Sequence, residues 1–374
     1  MMSSKWKQDW EQGKPSIIKM DKRTRLETAF NLEQPDRPPI MGGWLAAPGH
    51  IQTLTGCSED EYWADPFHWG VKAEQILGSD GVIDIFAPVT RGEFRIVDGQ
   101  IMEERDHMPT KEVLADIDSL PTSEEQLAAF DEDQAYAEFA AEYSKQQALM
   151  GDLVYCPADW HVIPNAIPGW EYGYENAMMV IGLYPDHARR FIDYGVGRGR
   201  QLAMLRARAI RDEILPRAVF TGEDLCDQRG PMVSPRFLRQ EYFPKVEYVL
   251  QPLLEAGAKI VWHCDGNYGR ILDDVLATGV NGLQGFQREC GMDLEWIVEK
   301  RARNGDPLLI YGPMSVTETL PHGTPQDVKA EVEWAMNVCR DRASLVFFTS
   351  NTLVPDIPLD NIQTLWDTVL NSRW

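Results

Sequence analysis

The sequence predicts an α/β protein folded as a (β/α)8 TIM barrel, with a small hairpin and helical insertion between strands 2 and 3. Eight short apolar runs recur along the chain, at 40–43, 82–87, 153–157, 218–222, 258–262, 282–286, 307–311 and 344–349. Helical patterns separate nearly all of them. Strand–helix alternation implies a parallel sheet, and eight units close more naturally as a barrel than as an open sheet. The segment after the first run, Met41-Gly-Gly-Trp-Leu-Ala-Ala-Pro-Gly, lacks the G-x-G-x-x-G phosphate loop expected of a doubly wound sheet.

The whole chain, 1–374, reads as one domain of this kind. Residues 1–35 form a lead-in with one short helix, Arg23 to Asn31, and Pro35-Asp-Arg-Pro-Pro39 ends any helix there because proline removes donors and fixes φ. Helical patterning returns at Tyr62 to Leu77. An insertion spans 90–150. Its hairpin is read from two alternating runs about Asp98-Gly99, and a helical stretch runs from Ser123 to Met150. Later helices are expected from Tyr184 to Glu213, and from Ser234, as N-cap before Pro235, to about Ala256. Four more follow: Tyr268 to Ala277, Asp293 to Arg303, Thr324 to Cys339 and Asp360 to Leu370.

Composition narrows the class. With 44% hydrophobic and 25% charged residues, the chain is ordinary for a globular enzyme. A net charge of −22 argues against nucleic acid or an anionic membrane as partner. No apolar run reaches the ~18 residues of a membrane span, and the N-terminus lacks a signal-peptide core. Six scattered cysteines form no C-x-x-C pair, which suits a reduced, cytoplasmic protein.

The chemistry gathers where strands end. Lys259-Ile-Val-Trp-His263-Cys264-Asp265-Gly266-Asn267 is an apolar run that stops in an imidazole, a thiol and a carboxylate. In a barrel such ends converge on one face. The fourth strand ends in Glu223 and Asp224, and the sixth leads to Gln287 and Cys290. Three ligands from neighbouring strand ends would suit a catalytic zinc with one open position. The preferred set is Glu223, His263 and one of Cys264, Asp265 or Cys290. Side-chain alternation points His263 and Asp265 to the same face and Cys264 away. Trp44, His50, Asp159, His161, Gln287, Tyr311 and Asn351 are the expected substrate contacts around the mouth.

Several of these motifs together resemble the uroporphyrinogen decarboxylase superfamily. They are Gly222-Glu-Asp224, Ser234-Pro-Arg-Phe, His263-Cys-Asp-Gly-Asn267, Gly279-Val-Asn-Gly-Leu, Gly291-Met-Asp293-Leu, Leu320-Pro-His-Gly-Thr-Pro325 and Pro355-Asp-Ile-Pro358-Leu-Asp-Asn361-Ile. The likeness is clearest over 215–370. It implies a (β/α)8 barrel and one of two activities: cofactor-free decarboxylation of porphyrinogens, or methyl transfer involving corrinoid proteins, often with zinc. The decarboxylases carry arginines after the first strand, where this chain reads Met41 to His50 without one. Bidentate arginine–carboxylate pairing is hard to replace. The zinc-thiolate methyltransferases have His-x-Cys after strand five and a Cys after strand eight. Here Asp265 and Asn351 stand at those two places.

The resemblance therefore implies the decarboxylase-like branch that demethylates small, in some cases methoxyaromatic, compounds onto a corrinoid protein. His263, Asp265, Glu223 and Asp224 are its expected catalytic residues. Glu223, His263 and Asp265 would hold zinc, with Cys264 and Cys290 ranked below. The partners would be the methylated substrate, a corrinoid protein and, as a candidate assembly, a second copy of the chain. A decarboxylase acting on a porphyrinogen or smaller acid is the alternative.

Overall fold

A computed structural model describes residues 20–89, 95–97, 100–102 and 108–374. Eight parallel strands form two arcs. The first holds β1 (Met41–Gly42), β2 (Gly81–Val82) and β3 (Val154–Tyr155), in that order. The second holds β4 (Ala218–Gly222), β5 (Lys259–His263), β6 (Gly282–Gln284), β7 (Leu309–Tyr311) and β8 (Ser344–Val346), again in chain order. Among the described residues three isolated parallel bridges join the arcs, Ile40 with Phe347, Leu45 with Leu353 and Ala158 with Phe220. The strands thus follow one another around a ring, β1 beside β8 and β3 beside β4.

The ring is filled as the sequence pattern demands. Met41, Val154, Phe220, Val261, Leu309, Tyr311, Val346 and Phe348 are buried in one cluster with Leu26, Ala29 and Phe30 of helix α1 (Lys22–Phe30). Helix α1 therefore plugs the end where the strands begin. Beneath it, Arg25 reaches Asp36 (2.6 and 2.9 Å) and Asp80 (2.6 Å), while Arg37 reaches Asp80 with two bonds (2.8 and 3.0 Å). Asp80 also accepts the Ile40 N–H at 2.9 Å. This buried network fixes the starts of β1 and β2.

Helices α2 (Pro66–Leu77), α3 (Glu132–Met150), α4 (Pro185–Arg211), α5 (Phe243–Glu255), α6 (Leu272–Ala277), α7 (Leu294–Ile297), α8 (Pro325–Cys339) and α9 (Leu359–Asn371) follow the eight strands in turn. Several differ from the sequence expectation for local reasons. The helix expected at 62–77 is two, because Asp65 caps the second through His68 N and Pro66 cannot continue the first. The stretch 123–150 divides at Asp131, which caps α3 through Gln134 N. The helix expected from Ser234 contains a π turn, Leu238–Tyr242, where Pro244 supplies no N–H to close an ordinary α turn. Helices at Pro48–Thr55, Thr110–Ser119 and Tyr174–Leu183 were not expected from the sequence. The hairpin does pair antiparallel, Arg95–Val97 with Gln100–Met102, and its Asp98-Gly99 turn lies outside the described residues, as do positions 1–19 of the lead-in. Among the described residues no helix is long and apolar enough to cross a membrane.

Candidate functional site

Strand β5 delivers His263 to the end of the barrel opposite α1. Its register with Gly222 of β4 and Gln284 of β6 sets three strand ends level. His263 Nδ1 meets Gln284 Oε1. Gln284 is fully buried, and its amide nitrogen donates to the carbonyls of Thr349 (2.7 Å) and Ser350 (3.0 Å). With both amide hydrogens spent on carbonyls, only the amide oxygen is left to face the ring, so Nδ1 carries the hydrogen. Nε2 then points out to the mouth.

Two carboxylates wait there. Asp224 Oδ1 is 3.5 Å from Nε2 and Asp265 Oδ1 is 3.7 Å away. Asp224 is held by the Asp265 N–H at 2.8 Å, and Asp265 by the Asn351 amide at 2.6 Å. One ligand atom from each of Asp224, His263 and Asp265 lies within 4.8 Å of the others. The Nε2 atom either carries a second proton or aims its lone pair at two anions. The second arrangement is stable only with a cation among the three groups. An imidazole and two carboxylates, each oriented by a second hydrogen bond, are a donor set that fits a divalent ion such as zinc.

The sequence reading placed Glu223 in this set, and the structure corrects it. The strand ends at Gly222, whose φ of +158° brings it against the His263 backbone, and strict alternation stops there. Glu223 turns to accept the N–H groups of Ala166 (2.9 Å) and Ile167, the latter at 2.6 Å, and binds the β3 exit loop instead. Burial pushes its carboxyl up to about 7, against those two bonds and the nearby Tyr242 hydroxyl. Asp224 takes the place expected of Glu223. Cys264 is buried behind the cluster next to Cys226, and burial pushes its thiol up, so it stays a packing residue. Cys290 lies against Gln287 (Sγ to Oε1 3.9 Å), apart from the three donor atoms.

The expected substrate contacts divide. Trp44 forms a wall of the site, 5.8 Å from the His263 ring, stacked on Phe86 at 5.2 Å. Trp160 forms a second wall at 5.4 Å from His263. Asn351 and Gln287 serve the protein itself, Asn351 by holding Asp265 and Gln287 by accepting the Gly266 N–H at 2.6 Å. His50 Nε2 is committed to the Ile357 carbonyl at 2.7 Å. Asp159 is buried in a 2.6 Å ion pair with Arg206. His161 Nδ1 meets Arg198 at 2.9 Å, and burial with that neighbouring guanidinium lowers its pKa, leaving a neutral acceptor. Tyr311 is corrected: Leu309 and Tyr311 point into the barrel, and the ring packs against Phe30 and Phe220 below the cluster.

Two groups escaped sequence reasoning. Gln284 sat in an apolar run, where the only signal was a lone amide among buried residues. Tyr174, on a helix not expected, is more than half exposed, and the desolvation of its hydroxyl with the neighbouring Asp224 and Glu223 pushes its phenol up to about 12. Asp84, a strand end, also has its carboxyl pushed up to about 7 by burial, with the Tyr155 hydroxyl at 3.4 Å.

Residues 224–371 match the family model "Uroporphyrinogen decarboxylase (URO-D)". The matched stretch begins at Asp224 and contains His263, Asp265, Gln284 and Asn351. No curated protein matches the chain. Among solved structures, a methyltransferase from Methanosarcina mazei has the same fold, with a TM-score of 0.57 and 16% identity over 93% of this chain and 98% of that one. The likeness of this chain to the uroporphyrinogen decarboxylase superfamily is thus carried by its C-terminal part, residues 224–371, on an α/β barrel shared with a methyltransferase.

Proposed function

We propose that the chain is a methyltransferase of the uroporphyrinogen decarboxylase-like kind, moving a methyl group from a small methylated compound to a corrinoid protein. The single observation that carries this is the cluster of Asp224, His263 and Asp265, which gathers three possible metal-ligand atoms at the centre of the barrel mouth. Asp224, His263 and Asp265 would hold a divalent ion. When bound, such an ion supplies Lewis acidity to the heteroatom that loses its methyl group.

The protein groups do the rest. Gln284 fixes the imidazole so that Nε2 faces the substrate side, and Asn351 keeps Asp265 from rotating away. Trp44 and Trp160 set apolar walls beside His263, which orient a small substrate and exclude water from the transferring methyl. A proton on His263 would serve an alkoxide or phenoxide leaving group in the same position. Methoxyaromatic compounds suit these walls.

The test mixes the purified chain with a cobalt(I) corrinoid protein and a panel of methylated ethers and amines, following the corrinoid spectrum. Methylation that disappears in His263→Ala is expected. Release of carbon dioxide from an acid substrate without any corrinoid would replace this reading by a decarboxylase. The stretch Met41 to His50, without arginine, speaks against a porphyrinogen with many carboxylates.

A further inference from the structure

We propose that Glu74 is a positioning residue for Trp44, acting through the backbone of Gly43. This rests on the reading of the mouth as the methyl-transfer site. Glu74 belongs to α2, outside the barrel, yet is only 2% exposed. One carboxylate oxygen accepts the Gly43 N–H at 2.7 Å. The other accepts the Ser79 hydroxyl at 2.6 Å, and the Ser79 oxygen in turn accepts the indole N–H of Trp366 at 2.8 Å. Trp366 lies on α9, the last helix, and is buried as well. A relay of three side chains therefore runs from the far end of the sequence to the exit of β1.

The exit is built to receive it. A Cβ on Gly42 would lie 1.9 Å from the Glu74 carboxylate, so only glycine lets the acid come against the strand. Gly43 has φ of +107°, in the region that favours glycine, and a Cβ there would lie 1.8 Å from the Asp84 carbonyl oxygen. At this residue the chain leaves β1 and turns Trp44 into the mouth. The Gly43 carbonyl then accepts the Phe86 N–H at 2.8 Å, and the Trp44 carbonyl accepts the Leu353 N–H at 2.8 Å. Trp44 is thus held on both sides of its Cα, by Glu74 and the β2 exit on Gly43 before it and by the β8 exit after it.

Stability alone does not call for a carboxyl here. Burial raises the pKa of Glu74, and a buried acid is a costly way to satisfy one backbone N–H. The bond to Gly43 gives something a well-packed apolar residue would not, a fixed direction for the wall that faces His263.

The test compares Glu74→Leu, Glu74→Gln and Trp366→Phe, alone and combined with Trp44→Phe. Hydrogen exchange of the peptide covering 41–47 reads the clamp without any turnover. Glu74→Leu should speed it about tenfold or more, Trp366→Phe about threefold, and Glu74→Gln, which keeps an acceptor, should restore most of the protection. With the methyl donor, Glu74→Leu should raise KM about fivefold or more with kcat within about twofold, and that effect should vanish in the Trp44→Phe background. Unchanged exchange in Glu74→Leu, or a KM effect that persists in full without Trp44, would overturn the proposal. Should Glu74→Leu fail to fold, unchanged exchange in Trp366→Phe would overturn it. If the chain transfers no methyl group, the exchange result still stands, so the two readings fail separately.

Discussion

The two ends of the barrel hold the same kinds of groups in opposite balance. At the plugged end, two arginines meet two carboxylates in bidentate pairs, and both Asp80 and Arg25 are almost wholly buried. Donors and acceptors are matched, and the network's charges cancel. At the open end, two carboxylates meet one imidazole, and Asp224 keeps about a third of its side chain exposed. The contrast separates a structural ion network from a site: one balances its charges within itself, the other gathers two carboxylates around one imidazole.

Breaking the complete network should cost the most. Asp80→Ala leaves the buried Arg37 guanidinium without a carboxylate and strips one bond from Arg25, and about 3–5 kcal/mol of folding free energy should be lost in urea unfolding. His263→Ala should do the reverse. Methyl transfer should fall about a thousandfold or more while the urea midpoint stays close to that of the parent chain. If His263→Ala unfolds the protein as Asp80→Ala does, the distinction between the two ends collapses.

Glu223 sharpens the comparison through pH. Its folded pKa, about 7, lies above the ordinary 4.5, so the folded chain holds this proton more tightly than the unfolded one. The resulting stability is present below about pH 4.5 and is lost as pH rises to about 7. With an allowance for the water that still reaches this carboxyl, about 2 kcal/mol is at stake. Unfolding at a series of pH values should show that decline in the parent and a flatter profile in Glu223→Gln. The smallest effect belongs to Asn351→Ala, which frees one oxygen of Asp265. Zinc affinity, measured by competition with a chelator, should weaken about tenfold, and folding should be unaffected. Equal zinc affinity would show that Asp265 needs no holder.

Much of the barrel could be read from the chain because parallel strands buried on both faces leave continuous apolar runs, and all eight were visible. His263 and Asp265 were legible for a related reason, since β5 keeps its alternation as far as the first residues beyond its end. Glu223 misled because β4 ends at Gly222 as expected, but the backbone turn there breaks the alternation and sends the next side chain towards Ala166 and Ile167. Gln284 stayed hidden because its partners, the carbonyls of Thr349 and Ser350, come from two strands away and carry no mark in the sequence. Tyr311 looked like a strand-end contact, yet whether an inward residue reaches the mouth or the interior depends on stagger between strands, which sequence does not record.

The two seams of the barrel lead to one more consequence. The arc β1–β3 carries the aromatic surroundings, Trp44, Phe86 and Trp160, whereas the arc β4–β8 carries Asp224, His263, Asp265, Gln284 and Asn351. Isolated bridges stitch one arc to the other, two at the β1/β8 seam and one at the β3/β4 seam among the described residues. The family match begins at Asp224 and leaves the first arc outside. The molecule is in this sense a reaction half joined to a selection half. On the proposed methyl-transfer reading, a chimera exchanging residues 20–160 with those of a relative should change the choice of methyl donor and leave the cluster intact.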